Sequence, residues 1–137
     1  MLRQLRRLSA LSSLLALFVS SASAQATHVV RIIANPAKDD FRFEPASVNA
    51  QPKDVIVFRA VSGAPHSIVF EGAGLSPGVR GEINSALEGR SADLSSPVLT
   101  ASGREYRMVV PQIPPGSYAF FCLPHRAYDM RGELIIK

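Results

Sequence analysis

The chain has a single cysteine, Cys122, so no disulfide can close within it, and it has no tryptophan. Histidine is almost as scarce, with His28, His66 and His125, and so is methionine, with Met1, Met108 and Met130. Internal repeats and low-complexity stretches are absent. No clustered basic surface interleaved with aromatics is apparent, which removes the usual signature of a nucleic-acid binder. The only long apolar run lies at the start of the chain. It opens MLRQLRRLSALSSLLALFVSSASAQ: Arg3, Arg6 and Arg7 are basic, Leu8 to Phe18 form an apolar core, and Ala22-Ser23-Ala24 is a small-residue cleavage signal. Residues 1–24 therefore read as a signal peptide. The run is short and broken by serines, which suits a cleaved leader better than a membrane anchor. The Arg6-Arg7 pair permits either general or twin-arginine export. No cysteine lies near the cut, so a lipoprotein anchor is excluded.

Removal of the leader leaves residues 25–137, the size of one domain with a single core. The charge balance changes with it. Three of the fifteen basic residues lie in the leader, so twelve remain against eleven acidic ones, and the basic character of the whole chain fades. An exported domain of this size commonly uses cysteines in pairs. A lone thiol is then either inert or in use.

Short β-branched and aromatic runs separated by Pro, Gly, Asn and Asp dominate the remaining sequence. Strands are expected in residues 27–34, 54–61, 66–72, 104–110, 116–122 and 132–137, with a further one within 45–50. About seven strands at short intervals predict an all-β, two-sheet sandwich of Greek-key type. Residues 79–94 resist this pattern. Ile83, Ala86, Leu87 and Leu94 have approximate helical spacing, so a short helix or irregular excursion is expected there.

Cys122 ends one strand, and the loop LPHRAYDM leads from it to the last strand. Thiolate, imidazole and thioether thus fall within nine residues, two soft sulfurs and a nitrogen suited to copper. His66, at the start of a predicted strand after SGAP, is the natural fourth donor. Two histidines and a cysteine with a weak axial methionine form the ligand set of a blue-copper electron-transfer site. Taken singly, Cys122 reads as a small buried hydrophobe, Met130 as core filler, and the histidines as surface or hydrogen-bonded residues. Their joint placement at neighbouring strand ends is what favours His66, Cys122, His125 and Met130 as metal ligands. His28 has no sulfur nearby and reads as structural or surface.

These stretches resemble the plastocyanin-like cupredoxins, small exported type 1 blue copper proteins. The resemblance rests on GAPHSIVFEG around His66 and on GSYAFFCLPHRAYDMRGELIIK, with two residues between Cys and His and four between His and Met. FRFEPASVNAQPKDVIVFRAV extends it to nearly all of residues 28–137. It implies an eight-stranded Greek-key sandwich, one copper ion held by His66, Cys122, His125 and Met130, and one-electron transfer between redox partner proteins outside the cytoplasm. Ser67 stands where the family usually has Asn, and its backbone N–H is expected to reach the cysteine sulfur. Phe121 stands where plant members carry a tyrosine electron port, and Arg126, Ala127, Tyr128 and Asp129 replace their glycines. The acidic docking patch of the plant proteins is not evident, so no photosynthetic partner is carried over. The ring edge of His125, among Leu123 and Pro124, is the expected electron exit, with Arg126 and Arg131 acting on association rate.

Other function classes fit less well. A copper enzyme needs further histidines for a second metal, and only His28 remains. Zinc hydrolysis would use Cys and His but has no use for Met130. A copper carrier or storage protein is the stronger rival, although such proteins often offer several methionines or paired cysteines. The expectation is a monomeric, periplasmic or secreted electron carrier without enzymatic activity, nucleic-acid partner or stable membrane insertion.

Overall fold

The computed structural model describes residues 24–137. The expected leader lies outside the described residues except for Ala24. Eight strands follow in chain order: β1 Thr27–Asn35, β2 Asp40–Glu44, β3 Ser47–Ala50, β4 Val55–Ala60, β5 Val69–Phe70, β6 Glu105–Val109, β7 Gly116–Phe121 and β8 Arg131–Ile136. They form two four-stranded sheets, ordered β2-β1-β4-β6 and β3-β8-β7-β5. Pairing is antiparallel except for β1 with β4 and β3 with β8. This is the sandwich expected from the turn-punctuated strand runs.

Alternation explains how the sheets face each other. Ile56, Phe58 and Ala60 of β4 point inward, as do Tyr106 and Met108 of β6 and Leu134 and Ile136 of β8. Phe43 and Phe120 meet edge to face with centroids 4.9 Å apart, and Phe58 and Phe120 do so at 5.6 Å. Such pairs add to the burial of apolar area that holds the sheets together.

The excursion between β5 and β6 contains one helix, α1, Pro77–Ala86. It starts two residues before the predicted stretch because Ser76 caps it, its hydroxyl accepting the Val79 N–H at 3.2 Å, with Pro77 in the first turn. Ile83 and Leu87 are buried against the core, as their spacing implied, and Leu94 joins them.

The expected strand at 66–72 is much shorter. Only Val69–Phe70 pairs as a strand, with β7, while His66 forms an isolated bridge with Leu99. The reason lies in its partners. The Ile68 N–H goes to the Ser96 hydroxyl at 2.9 Å and the Phe70 N–H to the Leu94 carbonyl at 2.9 Å, so the excursion replaces a regular neighbouring strand.

The two poles of the sandwich differ. At one, the Asp54 carboxylate accepts from the Ala26 N–H at 2.9 Å and the Gln51 N–H at 3.0 Å, and lies 2.9 Å from His28 Nε2. Ala24, Gln25 and Lys137 line one depression at this same pole. At the other, β1 ends, and Ala34 N–H donates to the Ser62 carbonyl at the start of the loop leading to His66.

Candidate metal centre

Three chain segments converge at this second pole. The loop after β4 brings His66, the end of β7 brings Cys122, and a 3-10 stretch, Leu123–Tyr128, brings His125. The first loop turns tightly at Gly63, whose φ is 63° and whose added Cβ would lie 2.7 Å from Ala34, so only glycine fits without displacement.

Cys122 Sγ lies 3.7 Å from His66 Nδ1 and 3.4 Å from His125 Nδ1. The ligand atoms of the three residues all fall within 4.8 Å of one another, the one such group of His, Cys or acidic side chains among the described residues. His66 and Cys122 are fully buried, whereas His125 is half-buried and so presents part of its ring to solvent.

Hydrogen bonds prepare these donors. His66 Nε2 sits 2.9 Å from the Ser62 carbonyl, an acceptor only, so Nε2 carries the proton and Nδ1 keeps its lone pair towards the thiol. Burial, with the neighbouring His66 adding to it, lowers the His125 pKa and favours its neutral imidazole. Burial pushes the Cys122 thiol up, while hydrogen bonds from the Ser67 and His125 backbone N–H groups pull the other way. The Ser67 N–H thus acts on the thiol in the direction expected from the sequence. Ser67 also accepts the Leu123 N–H on its hydroxyl at 3.3 Å, tying the loop of His66 to that of Cys122 and His125.

Met130 is fully buried, and its carbonyl accepts the Cys122 N–H at 3.0 Å, which fixes it beside the cysteine at the entrance to β8. His28 lies at the opposite pole against Asp54, a structural role as expected. A buried soft sulfur facing two imidazole nitrogens fits copper by donor chemistry, with water largely excluded.

The sequence matches the copper-binding proteins of the plastocyanin/azurin family over residues 30–137. The chain belongs to that family. It is 30% identical over 98 residues to the plastocyanin of Dryopteris crassirhizoma, covering 72% of this chain and 90% of that one. A plastocyanin of Synechococcus sp. (strain JA-2-3B'a(2-13)) is 27% identical over 119 residues, covering 87% of this cupredoxin and 79% of the relative. The solved structure of oxidized plastocyanin from Dryopteris crassirhizoma superposes with a TM-score of 0.61 at 26% identity, covering 80% of this chain and 99% of that one. A pseudoazurin structure from Sinorhizobium meliltoi, at 22% identity and TM-score 0.51, covers 82% and 75% and shares the fold.

Within this cupredoxin some contributors carried no sequence signal. Ser62 acts through its backbone carbonyl, which any residue would supply. Phe41, whose ring centroid lies 5.3 Å from that of His125, is brought there from β2 by the sheet order alone.

Proposed function

We propose that His66, Cys122, His125 and Met130 hold one copper ion, and that the protein shuttles single electrons between redox partner proteins as an exported monomer. The convergence of one buried thiol and two imidazole nitrogens in a member of a copper-binding family carries this reading. Copper, when bound, supplies reversible one-electron chemistry between its two common oxidation states. The chain's own residues do the rest. His66 is oriented by the Ser62 carbonyl, the Ser67 N–H favours the thiolate form of Cys122, and buried Met130 would supply a thioether.

Half-buried His125 is the natural way in and out for the electron, because Leu123 and Tyr128 beside it are exposed apolar surface suited to a brief encounter. Membership of a copper-binding family whose relatives include plastocyanins favours a carrier over an enzyme. A carrier that delivers copper would need donors free to exchange the metal. His66 and Cys122 are instead fully enclosed, which favours retention.

Export is part of the same proposal. Gln25 Nε2 donates to the Lys53 carbonyl at 2.7 Å and Ala26 N–H to Asp54 at 2.9 Å, so the first residues after the expected cut are tied to the domain. Protein recovered from the exported fraction should begin at Gln25 by mass spectrometry. No described helix is long and apolar enough to cross a membrane.

The deciding measurement is the visible spectrum of the Cu(II)-loaded mature protein during reductive titration. An intense blue thiolate band that bleaches and returns with copper retained is expected. A weak band, or copper released on reduction, would overturn the electron-carrier reading in favour of copper delivery.

A further inference from the structure

The stretch that carries His125 is held internally by two backbone hydrogen bonds, His125 N–H to the Cys122 carbonyl and Asp129 N–H to the Arg126 carbonyl, each at 3.1 Å. None of residues 123–128 is buried, no glycine or regular helix shapes it, and its backbone breaks from helical geometry at His125 (φ −116°, ψ 22°). Short 3-10 turns have poor internal hydrogen bonding. The Ser67 hydroxyl ties its start and the Met130 carbonyl fixes Cys122 before it, but neither reaches the turn beyond His125.

Two side chains do. Tyr128 stacks on Phe41 of β2, with centroids 3.9 Å apart and planes 13° from parallel. Arg126 lays its guanidinium over Phe121 of β7, 4.5 Å from the ring centroid. Phe121 shares its side of β7 with exposed Ser117 and Ala119, yet is 5% exposed itself, because Arg126 and Arg131 cover it. Phe41 belongs to one sheet and Phe121 to the other. His125 thus sits in a turn pinned to both layers of the sandwich.

We propose that Tyr128 and Arg126 are positioning residues for His125, forming a two-sided clamp that holds its ring against Cys122 in both oxidation states of the centre. This rests on the ligand reading above, because it assigns the clamp to a residue taken there as a ligand. Each contact is an aromatic face against a partner that retains its solvent-exposed edge, an arrangement that restrains position without burying a charge. A ligand that hardly moves when the electron arrives exchanges electrons faster than one that must be re-placed.

The test compares Tyr128→Ala, Arg126→Ala and their double variant with Tyr128→Phe, which keeps the stack. In the copper-free protein, 15N relaxation should show residues 123–129 loosened in the double variant and ordered in wild type and Tyr128→Phe. In the copper-loaded protein, electron self-exchange should slow about three- to tenfold in the double variant, with an altered copper hyperfine signature, and recover in Tyr128→Phe. A turn equally ordered in all copper-free variants overturns the clamp. A turn loosened only without copper, with self-exchange unchanged, overturns its action in the loaded protein. Absence of a blue band in wild type would instead sink the ligand reading, and the copper-free relaxation would still decide whether the clamp exists.

Discussion

Ser67 serves the centre through two neighbouring atoms. Its N–H pulls the Cys122 thiol pKa down against burial, and its hydroxyl accepts the Leu123 N–H. Ser67→Ala removes the second contact only, leaving the part-buried Leu123 N–H without its partner. We expect a loss of about 1–2 kcal/mol in denaturant unfolding with the reduction potential nearly unchanged. A large change in potential without loss of stability would reverse that division of labour. Side chains with rare donor atoms were the most legible part of the site: Cys122, His125 and Met130 stand together in sequence, and His66 was found by its strand-end position. Tyr128 and Phe41 were not legible as a pair, because each alone reads as an ordinary aromatic and only the sheet order brings them together.

Among the elements, the segment from His66 to Phe70 shows why strand runs were readable and their partners were not. Its β-branched composition signalled extended backbone, but the hydrogen bonds go to an excursion whose path has no local code. Ser96 is fully buried there, its hydroxyl accepting from Ile68 and donating to the Pro97 carbonyl at 2.8 Å. Ser96→Ala leaves the Ile68 N–H unpaired and should cost about 1–3 kcal/mol, with faster amide exchange along residues 66–70 as the local sign. Gly63→Val should be worse, because it combines φ 63° with a clash against Ala34. Its thermal midpoint is expected to fall by several degrees, with a weakened blue band because His66 is displaced. β2 was the strand least visible by residue pattern, since Asp40, Arg42 and Glu44 are charged and only Phe41 and Phe43 signal an apolar face.

For the whole molecule, one lever on stability in acid lies far from the copper pole. Hydrogen bonds from Gln51, His28 and Ala26 lower the Asp54 pKa to about 2 from an ordinary value of 3.8. A depressed folded-state pKa contributes stability that is complete above about pH 4 and lost as pH falls towards 2. Asp54→Asn should flatten the decline in unfolding free energy across that window and weaken the fold at neutral pH, as read by urea titrations from pH 2 to 7. An unchanged acid slope would assign acid sensitivity elsewhere. The same pole gathers both ends of the described chain, with Gln25 and Lys137 lining one depression while His125 lies at the far end of the sandwich. A tether attached at either terminus, whether an uncut leader or a linker to an electrode, would therefore leave the redox face pointing away from its support.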